Sequence, residues 1–470
     1  MTERCASSQG PLAELQKDFG ERVLVGPDLV EGFRRDRAMW ADAGSPMAVV
    51  RPSSTAEVQR LAQWATRHRV ALVPRGAGTG VAGGANATDG CLLVSFEAMN
   101  RILEIDSASM TAVVQPGVLN GELKLAAQQQ ALWYPPDPSS YEISTIGGNV
   151  ATNAGGLCCV KYGVTSDYVL GLEAVLASGE IVRVGGRNRK DVTGFNLAQL
   201  LVGSEGTLAL ITEITLRLRR PPPPSATLVA AFSSLQACGK AVAEIVRNAE
   251  PSLLELMDRA ALRAVERFRP YELDTTSAGM LIAQSDARSS REMETIRQAC
   301  ESAGATLVHA TGDETEGRML LEVRRLAYPA LERLGTALVD DVAVPLPCLP
   351  EMLRRIESIP QDEAMMIATV AHAGDGNLHP IVVFDPRDGA AEARALAALD
   401  AIMAQALELG GTITGEHGVG ILKREFLSRQ LGPVIVELQQ KIKNAFDPAG
   451  IMNPGKVFHG NGLTASRVSP

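Results

Sequence analysis

Apolar positions in this chain change their rhythm at one place, and the change divides it in two. From about residue 45 to 220 they come in short runs, VALVP, CLLVSF, TAVVQPGV, GLEAVLA, EIVRVG and ALITEITLRLR, bounded by Gly, Asn, Asp and Pro. Runs of this kind, rich in β-branched residues and punctuated by turn formers, predict strands. Further on, longer amphipathic stretches (SLQACGKAVAEIVRNA, SSREMETIRQACESAG, LPEMLRRIESI, AAEARALAALDAIMAQALELG) alternate with ATLVAAF, AGMLIAQS, MMIATVAHAG and HPIVVFD. That alternation predicts an α+β architecture. At the change stand four prolines, Pro221 to Pro224, which can continue neither a central strand nor a helix and so mark a rigid connector. Ahead of VALVP, TAEVQRLAQWATRHR predicts a helix capped by Thr55 and ending at Val70.

Length supports the division, since 470 residues exceed one ordinary domain. With 46% hydrophobic and 21% charged residues the composition is that of a globular protein. A formal charge of -9 argues against a polyanion binder, so no nucleic-acid partner is expected. An anionic small substrate stays compatible, because local charge decides that. The seven cysteines form no C-x-x-C pair, which disfavours a disulfide frame and a thiolate zinc site and fits a reducing cytoplasm. No window approaches the length of a membrane span. A cytoplasmic protein is expected, with peripheral docking at the inner face of a membrane as the variant.

The stretch VPRGAGTGVAGGA, Val73 to Ala85, carries Gly78, Gly80 and Gly83 in the spacing G-x-G-x-x-G. A dinucleotide fingerprint needs a strand before it and a helix after it, whose N-terminus holds the pyrophosphate. VALVP supplies the strand, but the turn cluster GANATDG and the strand pattern CLLVSF follow. The loop therefore reads as a β-loop-β cradle whose N–H groups form an anion nest, with Arg75 adding a charge-assisted contact; a plain surface loop is the alternative. A second cluster, DPSSYEISTIGGNVATNAGG from Asp137 to Gly156, combines small residues with the hydrogen-bonding side chains of Ser144, Thr145, Thr152 and Asn153. A third, GSEGTLALITEITLRL from Gly203, reads as a turn into a strand. Singly, each is as well explained by a tight turn. Three in one domain suit a large cofactor that the backbone approaches at several points.

In order along the chain, PRGAGTG, YPPDPSS, STIGGNVATNAGG, KYG, TGF and VGSEGTLALITEITLRL resemble the FAD-binding domain of the vanillyl-alcohol oxidase/p-cresol methylhydroxylase superfamily. The resemblance implies a two-part FAD-binding domain over residues 45–221, preceded by an N-terminal helical segment, 1–44. It implies an α+β substrate (cap) domain over 225–404, a C-terminal helical segment returning to the flavin over 405–460, and a flexible tail, 461–470. It places FAD against Pro74, Arg75, Gly76, Ala77, Gly78, Thr79 and Gly80. Further contacts implied are Pro138, Ser144, Thr145, Gly147, Gly148, Ala151, Thr152, Asn153 and Gly155, then Glu205, Gly206, Ile211 and Asn453. Some members attach FAD through a histidine in the first loop. Positions 74 to 85 hold none, so a non-covalent FAD is expected.

Histidine is scarce, six in all, and three sit in two motifs: AHAGDGNLHP, with His372 and His379, and TGEHGVG, with Glu416 and His417. Two imidazoles and a carboxylate suit a divalent metal with positions left open. Seven residues with an internal Gly-Asp-Gly turn is not helical spacing, so a hairpin or loop return must bring the histidines together; ordinary turn histidines are the bland alternative. Together with FDPAGIMNPGKVF, these motifs resemble the FAD-linked 2-hydroxyacid dehydrogenases, the group of D-lactate dehydrogenase, D-2-hydroxyglutarate dehydrogenase and the glycolate oxidase D subunit. The resemblance implies that His372, His379 and Glu416 bind a divalent ion, zinc before manganese or iron. It further implies that His417 is the base and that Arg324, in EVRRLAYPAL, holds the substrate carboxylate. Alone, Arg324 and Arg325 would read as a solvated helix face.

Ile381 stands where the 2-hydroxyglutarate enzymes have Asn, and TALVDDVAVP lacks a neighbouring cation, so a short acid, D-lactate or glycolate, is expected. The acceptor is a quinone, a cytochrome, a partner redox subunit or oxygen, and the chain is expected as a homodimer or a subunit of a redox complex. The rival readings are a non-catalytic FAD-carrying subunit, a D-2-hydroxyglutarate dehydrogenase and, more distantly, a nicotinamide enzyme.

Overall fold

A computed structural model describes residues 9–459 apart from 189 and 288; the tail expected at 461–470 lies outside the described residues. The strand runs and amphipathic stretches named above all form at their expected places. In the first domain a four-stranded sheet runs in the order Val23–Leu24, Ala48–Val50, Leu92–Ser95, Leu72–Arg75. The last three are mutually parallel, and Val23–Leu24 joins antiparallel at the edge. The N-terminal segment is therefore not helical throughout: two of its residues complete this sheet. The helix Thr55–His68 makes one crossover, with Val58, Leu61, Ala62 and Ala65 buried at helical spacing against the sheet.

Two details differ from the sequence reading. Ser54 is the extended residue before the helix, so Thr55 is not its cap; its hydroxyl donates to Glu173 Oε1 at 2.6 Å. The helix stops at His68, because Arg69 turns left-handed with φ 53°.

The other half of this domain is a five-stranded antiparallel sheet in the order Ile102–Asp106, Thr111–Val114, Leu210–Arg217, Val169–Val175, Ile181–Gly185. The Gly/Asn cluster lies against it, and it is not only a turn. Ile146–Thr152 is a short helix whose N-cap Thr145 accepts from Gly148 N–H. Two glycines in its first turn disguise it, since glycine is a poor helix former; Ile146 and Val150, buried in the sheet's core, hold it in place.

Beyond the prolines an eight-stranded antiparallel sheet forms the cap. Its central strands run Ala226–Phe232, Gly279–Ser285, Leu253–Asp258, Met365–His372, Asn377–Phe384. Helices Leu235–Asn248, Arg291–Ser302, Leu349–Glu357 and Gly389–Glu408 bury one face; Arg259–Phe268 and Ala327–Glu332 bury the other. Each fully buried Leu or Ile here contributes about 1.5–3 kcal/mol. After a long helix, Arg424–Phe446, kinked at Gly432 and Pro433, the chain returns to the first domain. Ile451 and Met452 enter its core, Leu72 N–H donates to Ile451 C=O, and Asn453 N–H donates to Leu72 C=O.

Candidate active site

The three glycine-rich clusters converge. A Cβ built on Gly76 would stand 2.3 Å from Thr145 Oγ1, and one on Gly206 2.3 Å from Pro74 Cγ, so both positions admit only glycine as packed. Glu205 N–H donates to Ala151 C=O, tying the second cluster to the third. Asn453 Nδ2 donates to Gly84 and Glu205 carbonyls, adding the C-terminal return. Among the described residues none accepts from the N–H groups of Ala77 to Gly80, and Gly78 is left-handed at φ 71°. This unpaired row beside a strand end is the nest a pyrophosphate needs, and in this respect the residues fit FAD.

Much of the rest faces inward. Arg75 is buried and donates to Arg35 C=O at 2.8 Å, so its cation lies under the loop. Ser144 Oγ accepts from Asn149, Thr152 Oγ1 donates to Gly148 C=O, and Asn153 Oδ1 accepts from Ser166 N–H. Gly147 N–H donates to Pro116 C=O. Pro138 is buried, and Ile211 sits in the core of the five-stranded sheet. What most of these residues offer a cofactor is close backbone and shape.

The charged half arises from sheet register. Met365–His372 and Asn377–Phe384 form a hairpin over the turn Ala373–Asp375, closed by Gly376 at φ 71°. Val370 pairs with His379 and His372 with Asn377, so His372 and His379 are diagonal neighbours on one face. Ala368, Val370 and His372 share that face by the period of two; its apolar stripe ends in an imidazole. On the other side His372 pairs with Glu255 of Leu253–Asp258. The loop Thr412–Lys423 then carries Glu416 over both rings: its Oε1 lies 3.3 Å from His372 Nε2 and 3.3 Å from His379 Nε2. Two ligand atoms each about 2.0–2.1 Å from one ion at a tetrahedral angle stand roughly 3.3 Å apart, so this set is spaced as metal ligands are.

His417 stacks on His379 with ring centroids 4.9 Å apart and is the most exposed of the group. Burial holds its pKa below the ordinary imidazole value, Asp341 opposing, which keeps the ring neutral and able to take a proton. Burial works against charge on His372, yet Glu255 and Glu416 hold its pKa well above the ordinary value. Burial likewise opposes ionisation of Glu416, but His372 and His379 keep its carboxyl well below the carboxylate range. Asp375, in the hairpin turn, is pushed up to about 7 by burial.

Asp341 was not singled out by sequence, yet it organises the loop Thr412–Lys423. Its Oδ2 accepts from Thr414 Oγ1 and from the N–H groups of Gly415, Glu416 and His417, at 2.7–2.9 Å. Lys423 donates to Asp341 C=O and pairs with Asp340 at 2.7 Å. Glu255 was missed as well; the visible signal was a carboxylate flanked on both sides by apolar residues within a strand, LLELMD. Arg324 and Arg325 part company: Arg324 is buried, 2.8 Å from Glu255 Oε2, and Arg325 is exposed over the Tyr141 ring. The two halves meet directly, since a Cβ on Gly155 would stand 2.6 Å from Glu416 Oε2. Among the described residues no helix is long and apolar enough to cross a membrane.

A fold that splits a glycine cradle between two small sheets and closes it with a large antiparallel cap defines a flavoprotein oxidoreductase, and comparison with known proteins agrees. Residues 46–185 match the FAD binding domain family and residues 221–457 the C-terminal domain of FAD linked oxidases. The glycolate oxidase subunit GlcD of Bacillus subtilis is 40% identical over 94% of this chain and 97% of its own. A D-lactate dehydrogenase of Anaerostipes hadrus is 36% identical over 93% and 95%. Among solved structures, p-cresol methylhydroxylase with substrate bound superposes with a TM-score of 0.77 at 17% identity, over 96% of this chain and 97% of that one. The chain belongs to the FAD-linked oxidases and is an oxidoreductase of the glycolate oxidase/D-lactate dehydrogenase type.

Proposed function

We propose that this chain oxidises a short D-2-hydroxy acid, D-lactate or glycolate, to the 2-oxo acid, with a divalent ion, zinc first, held by His372, His379 and Glu416. The carrying observation is the convergence of these three side chains and His417 on one spot beside Gly155 of the flavin cradle. FAD held in the cradle would supply the acceptor for the C2 hydride, and an ion held by His372, His379 and Glu416 would supply a Lewis acid for the hydroxyl. His417 Nε2 takes the hydroxyl proton, a task its lowered pKa suits. The Arg324 guanidinium faces Glu255 through its Nε, and its Nη edge would serve a substrate carboxylate. Absence of histidine from 74–85 supports a dissociable FAD, and likeness to a glycolate oxidase subunit of Bacillus subtilis supports service as a subunit passing electrons to a redox partner.

The test is anaerobic titration of the flavin-loaded protein with D- and L-lactate, glycolate and D-2-hydroxyglutarate. Bleaching by D-lactate or glycolate, abolished by a chelator and restored by zinc, is expected. Bleaching that chelation leaves untouched refutes the metal's part; bleaching only by D-2-hydroxyglutarate refutes the substrate.

A further inference from the structure

Glu255 has a fully buried side chain in the middle of the cap sheet, on a strand buried along its whole length. A carboxylate with no access to water is retained only where partners compensate its charge. Glu255 has two, one on each oxygen. Oε1 stands 2.8 Å from His372 Nδ1, a contact that follows from register, since the two residues are directly opposed on neighbouring strands. Oε2 stands 2.8 Å from Arg324 Nε, at the C-terminal end of the helix Glu314–Arg325. The Nε–H is not aligned on that oxygen for a hydrogen bond, so the second contact is an ion pair. One carboxylate thus links the arginine edge to the imidazole that faces Glu416, with successive separations of 2.8, 2.8 and 3.3 Å.

We propose that Glu255 is a positioning residue that sets the metal-facing nitrogen of His372 and the guanidinium of Arg324 together, so that one buried group aligns both grips on a 2-hydroxy acid. The chemistry on the His372 side is tautomer selection: an Nδ1–H donating to Glu255 leaves the lone pair on Nε2, toward Glu416 and His379. On the Arg324 side it is anchoring: a guanidinium with Nε held against an anion presents its two Nη groups as a rigid fork. A 2-hydroxy acid carries its carboxylate and hydroxyl on adjacent carbons, so both grips must sit at a fixed spacing. A shared carboxylate supplies that spacing without touching the substrate. This rests on the metal-assisted reading above and adds the group that coordinates its two sites.

The experiment compares wild type, Glu255→Gln and Glu255→Asp as purified, flavin-loaded proteins. Divalent-metal content is measured by elemental analysis after dialysis against graded chelator, alongside KM and kcat for D-lactate and glycolate and a thermal melt. Glu255→Gln keeps the shape and removes the anion. Glu255→Asp keeps the charge in the sheet, which preserves the fold should the amide variant fail, but retracts the carboxylate so that both partners cannot be held. Expected in each is about a 10- to 100-fold weaker retention of metal together with a KM raised at least about tenfold. A purely structural ion pair would lower the melting temperature and leave metal retention and KM at wild-type values; that result overturns the proposal. Wild-type protein that retains no divalent ion would instead overturn the metal-assisted reading on which it rests.

Discussion

In the flavin lobe the glycine-rich segments offer backbone and close approach: Ala77 to Gly80 present N–H groups, and Gly76, Gly147, Gly155 and Gly206 fill places where a Cβ would collide. Opposite them stand ionisable side chains: His372, His379, Glu255, Asp341 and Arg324, buried in the cap, and the partly buried Glu416 of the C-terminal loop. The first kind of site tolerates loss of a side chain and fails when one is added. The second fails when one is lost, since each removal leaves a partner charged and unpaired in a dry setting. Local turn geometry sets the first; long-range strand register sets the second.

The largest effect expected tests the second half. His417→Ala should lower kcat for D-lactate and glycolate by about 10²- to 10⁴-fold, the usual worth of a positioned acid–base group. FAD and metal content should hold, because His417 belongs to neither set of ligands in the proposed arrangement. Anaerobic stopped-flow reduction of the flavin, read beside the visible spectrum of the resting protein, checks both. Flavin lost in step with activity would break the division between the two halves.

Glu205 sharpens the comparison because it crosses it. It belongs to the flavin lobe, yet its carboxylate accepts from the N–H groups of Val419 and Gly420, just beyond His417. Burial raises its pKa from 4.5 to about 7, with those two N–H groups opposing. The native protein therefore holds this proton more tightly than the unfolded chain. The linked stability is fully present below about pH 4.5 and is lost as pH rises through about 7, on the order of 3 kcal/mol. Glu205→Gln, which cannot ionise, should flatten the stability curve between pH 5 and 8 by about that amount, measured by denaturant melts across the range. Parallel curves for the two proteins would refute it.

The same contrast explains what could be read in the chain. Local signals sufficed for the strands, for the β-loop-β context of VPRGAGTGVAGGA and for the hairpin that had to join His372 to His379, because each is written in a few neighbouring residues. The helix Ile146–Thr152 was hidden, since its propensity is poor and its stability comes from burying Ile146 and Val150. Arg75 looked like an anion contact because sequence gives a side chain's charge and not its direction; here it turns under its own loop to Arg35. Asp341 and Glu255 were silent for a different reason. Their partners lie 76 and 117 positions away, at His417 and His372; the apolar neighbours of Glu255 mark it as buried, but nothing local says what either carboxylate organises.

The smallest effect expected isolates the backbone rule within the flavin lobe. Thr145→Ala removes the cap of Ile146–Thr152, whose Oγ1 accepts from Gly148 N–H at 3.2 Å, at a cost of about 0.5–2 kcal/mol. Gly76→Ala adds a methyl only 2.3 Å from that same Oγ1, while its other neighbours stand 3.6 Å away or more; overpacking of this kind costs about 1–3 kcal/mol. The collision needs the hydroxyl, so in a Thr145→Ala background Gly76→Ala should cost less, with a coupling of about 1 kcal/mol between the two. Denaturant melts of the four proteins in the cycle measure it. Strict additivity would mean that Gly76 is required for some purpose other than space, and the reading of this lobe as one limited by close approach would have to yield at its first loop.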